Sequence, residues 1–182
     1  MSRKPSSGKL ITFQFMGVAD GNEDDVTHSL PSAKLNVQIK YKTPEGAMRK
    51  FQKIHGNSDH EFGAVIDGQG FVHKYVEGDT SSVSISSNNP NHLVLHNHPS
   101  GGAFSRADML AFSQEKAKGL VASGSKYDYV ITKTSHWDKY SQAFEHAIKT
   151  AKIQGKDYDD AVHRWLRANQ RKYHYKYYRK KN

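Results

Sequence analysis

Apolar and polar positions alternate with period two over residues 9–16 and again over 34–41, and the acidic stretch Gly21-Asn22-Glu23-Asp24-Asp25 lies between them. This predicts an N-terminal strand pair. The pattern changes at Thr43-Pro44-Glu45, a helix start with Thr43 as cap and Pro44 in the first turn, and Ala47, Phe51 and Ile54 give an apolar stripe that Gly56 closes. Residues 61–67 and 71–76 then read as two strands around the turn Gly68-Gln69-Gly70, and 82–86 as a third short strand. Ser87-Asn88-Asn89-Pro90 turns the chain into the apolar run Leu93-Val94-Leu95. A helix is expected over 105–122, with Met109, Phe112, Ala117 and Leu120 or Val121 facing a sheet and Gly124 ending it. Residues 127–132 form a further β-type run. Two more helical stripes follow: Tyr140, Phe144, Ala147, Ile148 and Ala151, begun by Asp138 and stopped by Gly155, then Ala161, Val162, Trp165 and Leu166 after Asp157. These stripes read as packing surfaces.

The elements from 43 to 134 make an α/β unit in which helices cover both faces of a mixed sheet, an α/β/α arrangement in three layers. An N-terminal strand-rich extension (1–42) precedes it, and a C-terminal helical extension (135–182) follows. The length of 182 residues suits one core with appendages. No apolar run approaches the roughly 20 residues that cross a bilayer, and the first residues carry no apolar signal segment, so a soluble, cytoplasmic protein is expected. The chain has no Cys, which excludes disulfides. It shows no internal repeat, phosphate-binding glycine loop or Ser-His-Asp nucleophile arrangement.

Charge changes the picture at the C-terminus. The formal net charge is +9, and Arg164, Arg167, Arg171, Lys172, Lys176, Arg179, Lys180 and Lys181 supply most of it in a stretch free of acids. Tyr173, Tyr175, Tyr177 and Tyr178 are interleaved with them. A basic and aromatic tail over residues 164–181 suits phosphate contacts with base stacking. It equally suits a solvated helix end, or docking and steering of an acidic partner.

The candidate chemistry lies in His96-Asn97-His98-Pro99-Ser100-Gly101, followed by Ser105-Arg106-Ala107-Asp108. On a strand, His96 and His98 project to the same side, Pro99 ends the strand, and Asp108 in the first helical turn can face back toward them. Two imidazoles and a carboxylate, with a fourth position left for water, describe a catalytic zinc site; structural sites usually close with four ligands and use Cys. Ser105 and Asp108 also fit a helix-capping pair, and capping and ligation are compatible. The contiguous letters His-Asn-His do not describe an HNH nuclease, whose namesake residues are dispersed over a ββα unit.

These residues resemble the JAMM (MPN-type) metalloprotease family, and within it the bacterial RadC-like and phage- or toxin-associated branches, over 43–134. The resemblance implies a JAMM-like, cytidine-deaminase-like α/β/α domain. It places His96, His98 and Asp108 on the Zn2+ ligands and Ser105 on the serine that helps bind the oxyanion. Here nine residues separate His98 from Asp108, one fewer than the commonest family spacing. The family also carries an upstream Glu at the start of a strand before a glycine hairpin. Glu61 occupies that context, with Glu77 as the other candidate and Asp59 and His60 as flanking polar groups.

The function expected is zinc-dependent hydrolysis of an amide or isopeptide bond, with Glu61 as the general base that returns its proton to the leaving nitrogen. A protein or peptide substrate is implied, among them conjugates of ubiquitin-like proteins. Two other readings stand beside it: a RadC-like nucleic-acid-associated protein that binds DNA or RNA through residues 164–181, and a zinc-bearing recognition module without turnover.

Overall fold

Thr43 opens the first helix as its sequence predicts. Its Oγ1 accepts the Gly46 N–H at 3.0 Å and Pro44 begins the first turn, so α1 runs Pro44–His55. The computed structural model describes residues 14–16, 40–153 and 157–182. The first expected strand is represented by β1 (Gln14–Met16), which pairs antiparallel with β4 (Ser82–Ser84) in a small two-stranded sheet. The acidic stretch, residues 34–39 of the second expected strand and the expected stop Gly155 lie outside the described residues.

The main sheet has six strands in the order β3-β2-β5-β6-β7-β8. These are β2 (Phe62–Asp67), β3 (Val72–Glu77), β5 (His92–Asn97), β6 (Gly119–Ser123), β7 (Tyr127–Lys133) and β8 (Tyr175–Lys181). Every neighbouring pair is antiparallel except β5 and β6, which are joined through α2 (Arg106–Gln114). The sheet is therefore mixed, as expected. One face buries Ala64, Ile66, Leu95, Val121 and Val130 beneath Ala47, Met48 and Phe51 of α1. The other buries Val65, Val94, Leu120 and Ile131 beneath α2, α3 (Trp137–Thr150) and α4 (Tyr158–Tyr173). Alternation along each strand sends successive side chains to opposite layers, so these central strands are apolar on both faces.

Two elements differ from the sequence expectation. The helix expected over 105–122 stops at Gln114, where Glu115 is already extended, and Gly119–Ser123 becomes a central strand with every residue buried. Leu120 and Val121 bury opposite faces of β6 because neighbours pair with it on both edges. The second correction concerns the tail. α4 ends at His174, which takes the left-handed conformation (φ 57°, ψ 47°), and the chain returns as β8 along the whole of β7, from Lys133↔Tyr175 to Tyr127↔Lys181. The sheet thus extends past residue 134 to include the end of the chain. Tyr173, Tyr175 and Tyr177 are buried, and only Tyr178 among the four tail tyrosines is exposed, at 49%. Tyr175 donates its hydroxyl to the Leu166 carbonyl at 2.7 Å, and Arg179 pairs with Asp160 at 3.0 Å. Among the described residues no helix is long and apolar enough to cross a membrane.

Candidate metal centre

The β5 strand delivers the histidines. It lies between β2 and β6, with His96 opposite Gly63 on one side and Ala122 on the other, and the strand direction persists to His98, whose N–H donates to the Ser123 carbonyl at 2.9 Å. The Gly101 N–H then closes a turn onto the His98 carbonyl at 2.8 Å, with Gly101 at φ 74°, a conformation that favours glycine. Ser105 caps α2. Its Oγ accepts the Asp108 N–H at 3.1 Å, and Asp108 Oδ2 accepts the Ser105 N–H at 2.7 Å. The capping and ligand readings of Asp108 therefore coexist in one side chain.

His96, His98 and Asp108 come together as a buried group whose ligand atoms lie within 4.8 Å of one another. His96 Nε2 and His98 Nε2 are 2.9 Å apart, and they stand 3.4 and 3.3 Å from Asp108 Oδ1 and Oδ2 respectively. Zinc bonds of 2.0–2.2 Å at tetrahedral angles place ligand atoms about 3.3 Å apart, so the separations suit such an ion. The donor chemistry agrees. His98 Nδ1 faces the Gly102 carbonyl at 3.0 Å, and a carbonyl only accepts, so Nδ1 carries the hydrogen and neutral His98 turns a lone pair toward His96 and Asp108. Asp108 Oδ1 is buried without a well-formed hydrogen bond. Two nitrogens and a carboxylate oxygen thus converge on one point, where a proton or a divalent cation relieves their mutual repulsion.

The electrostatics of the metal-free group follow. Burial opposes the charged form of His98, but the hydrogen bond and charge of Asp108, with Glu61 and the Gly102 carbonyl, outweigh it and push His98 up to about 9. Burial dominates at His96, which is pulled down despite Asp108. Asp108 is also resisted by burial, yet its two histidine partners hold it well below the usual carboxylate range. The centre therefore holds an ionised carboxylate beside one histidine that retains its proton.

Glu61 reaches the same place from the position just before β2. Gly63 faces His96 across the ladder, so two residues earlier Glu61 lies on the same sheet face, next to His98. It is fully buried, and its charge acts on His98. Its backbone is fixed by hydrogen bonds from Glu61 N–H to the Asp79 carbonyl and from Gly78 N–H to the Glu61 carbonyl, both 2.7 Å. Glu77, the other sequence candidate, pairs with Phe62 on the far strand and is only half-buried. Asp59 is exposed and pairs with His60 at 3.0 Å.

One residue of the site escaped the sequence reading. Asn97, between the two histidines, points to the opposite face, where its Oδ1 accepts the Phe62 N–H at 2.6 Å and its Nδ2 donates to the His60 carbonyl at 2.9 Å. It therefore grips the backbone on both sides of Glu61. The available signal was a polar residue on a strand face that otherwise faces the apolar α1 layer. Comparison of the chain with protein-family models, with curated proteins and with solved structures finds no match in any of the three.

Proposed function

We propose that the chain is a JAMM-like zinc hydrolase that cleaves an amide or isopeptide bond in a protein or peptide, conjugates of ubiquitin-like proteins included. The observation that carries this reading is the buried convergence of His96, His98 and Asp108 beside the buried Glu61. When bound, zinc supplies Lewis-acid polarisation of the scissile carbonyl and lowers the pKa of a water toward 7. His96 and His98 would hold the ion through Nε2 and Asp108 through a carboxylate oxygen, and the Gly102 carbonyl keeps His98 in the tautomer this needs. The Glu61 carboxylate takes the proton of the attacking water and returns it to the leaving nitrogen. Ser105 Oγ spends a lone pair on the Asp108 N–H, which leaves its hydroxyl hydrogen to donate to the oxyanion. Burial around Glu61 excludes the bulk water that would otherwise compete for these hydrogen bonds.

Metal analysis with a panel of peptide and isopeptide substrates tests the assignment. About one zinc per chain is expected. Glu61→Gln should retain the zinc and lose cleavage, and His98→Ala should lose both. Full activity of Glu61→Gln would remove the proposed base.

A second reading, association with nucleic acid, is favoured by a different observation. Lys176, Tyr178 and Lys180 share one face of β8 by alternation, the face turned toward α1, and Glu45, Met48 and Arg49 of α1 border the same hollow as Tyr178 and Lys180. Tyr178 supplies a stacking surface between two positive charges, and the carboxylates of Glu45 and Asp128 also act on it. Affinity for a single-stranded oligonucleotide that falls steeply with salt, and falls again in Tyr178→Ala, would support it.

A further inference from the structure

The loop between His98 and Ser105 is held from the far end of the chain. Ala103 N–H donates to Asp159 Oδ1 at 2.9 Å, and the Tyr158 hydroxyl donates to the Phe104 carbonyl at 3.2 Å, both side chains coming from the first turn of α4. Arg106 ties the start of α2 to the end of α3 through the Lys149 and Ala151 carbonyls. One of these contacts differs in kind. The carbonyl that accepts His98 Nδ1–H belongs to Gly102, and the N–H that donates to Asp159 belongs to Ala103. These are the two ends of a single peptide unit.

We propose that Asp159 is a positioning residue for the metal ligand His98, acting through the Gly102–Ala103 peptide; this rests on the zinc reading of the centre. Metal-bound histidines commonly donate their second ring hydrogen to a carboxylate or a backbone carbonyl, which fixes the ring and raises its basicity. Here both partners are present in series. The Asp159 carboxylate pulls on the amide hydrogen, peptide resonance carries the polarisation to the Gly102 oxygen, and that oxygen becomes a better acceptor for Nδ1–H. His98 Nε2 gains electron density toward the ion. Gly102 is suited to its place, since a Cβ there would stand 3.1 Å from Asp159 Oδ1 and push the carboxylate away. Asp159 does not follow from a need to cap α4, for it lies within the helix, after the N-cap position held by Asp157. Asp159 is otherwise exposed, so water screens part of its charge and the effect belongs at the low end of what such partners produce.

Zinc affinity, measured by chelator competition on the full chain, separates this relay from simple loop anchoring. Asp159→Ala should weaken zinc binding about tenfold, the lower limit of the 10–100-fold range for such partners. Asp159→Asn keeps an acceptor without the charge and should fall between that variant and the wild type. Tyr158→Phe removes the neighbouring loop bond but leaves the relay intact, so its affinity should stay within about twofold of wild type. With cobalt in place of zinc, the visible ligand-field bands should shift in both Asp159 variants and stay put in Tyr158→Phe. Should Asp159→Ala not fold, Asp159→Asn carries the comparison alone. The relay is overturned if the Asp159 variants bind zinc as the wild type does, or if Tyr158→Phe loses as much affinity as they do. A wild-type protein that takes up no zinc overturns the metal reading itself, and the relay with it.

Discussion

Asn97 accepts the backbone N–H of Phe62 at 2.6 Å across the β5–β2 ladder, and its amide nitrogen reaches the His60 carbonyl on the other side of Glu61. One buried side chain thus sets the distance between the strand that carries the histidines and the residue proposed as base. Asn97→Ala would remove the side-chain partner of a buried N–H and a partly buried carbonyl, each worth roughly 1–3 kcal/mol, for a combined loss of about 2–6 kcal/mol. Urea unfolding should show that loss, while zinc content stays near wild type because the three ligands are untouched. Unchanged stability would mean that the two hydrogen bonds do not restrain Glu61.

Zinc uptake should release a proton. The metal-free centre holds one on His98, whose affinity for it reaches about 9 because Asp108 and Glu61 overcome the effect of burial. Zinc must displace it, so apparent affinity should rise about tenfold per pH unit from pH 6.5 toward 9 and then level off. The metal-free protein behaves oppositely. A group that binds its proton more tightly when folded contributes stability fully below its unfolded value of 6.5 and loses it as pH climbs through about 9. Titration calorimetry in two buffers of different ionisation enthalpy should count close to one proton released at pH 7, and a count of zero would contradict the assignment.

Glu115 offers a pH dependence independent of the metal. Burial pushes it up to about 7, although the Ser87 N–H at 2.5 Å, Lys133 and Lys74 all favour its charged form. The folded chain therefore holds this proton more tightly than the unfolded one. Stability from this group is complete below pH 4.5 and declines as pH rises toward 7. Glu115→Gln should flatten that decline, gaining on the order of 3 kcal/mol at most at pH 8 and little at pH 4. Urea midpoints at the two pH values decide it: parallel shifts at both would show that ionisation of Glu115 is not responsible.

The end of the chain should behave as core. Tyr175 is 2% exposed, donates to Leu166 and meets the rings of Trp137 and Phe144 edge-on. Tyr175→Ala should lower stability by about 3–5 kcal/mol, the range for large aromatic truncations. Removal of residues 175–182 should unfold or aggregate the protein by exposing the β7 edge, and thermal melts of the truncated chain test this. A truncated chain with wild-type melting would mean that β8 is dispensable. Point substitutions at Lys176 and Tyr178 are therefore the sound way to probe nucleic-acid binding.

Local signals in the sequence were sufficient for α1, the β2–β3 hairpin, β5 and β7, because a cap, a glycine turn or a short apolar run marks each. They were insufficient for β6. Ala117, Leu120, Val121 and Ala122 continue the apolar spacing of α2, and a fully buried strand cannot be separated from a helix on a short apolar run. β8 concealed its strand character behind its charge, although Tyr175 and Tyr177 alternate with Lys176 and Tyr178 in period two. The grouping of His96, His98 and Asp108, and the burial of Glu61 beside it, follow from local motifs. Asn97 and Asp159 act across 35 and 56 positions, on backbone groups that leave no trace in sequence spacing.

His96, His98 and Asp108 all fall within thirteen consecutive residues, whereas Glu61 arrives from a separate segment, just ahead of β2. Closing so short a segment around an ion has a small entropic penalty, and it can happen before distant strands have paired. On the proposed reading, ion capture and turnover are therefore separable. If the chain is the proposed hydrolase, a descendant that lost the Glu61 carboxylate would keep a metal-stapled loop, and a single substitution would turn an enzyme into an inert scaffold.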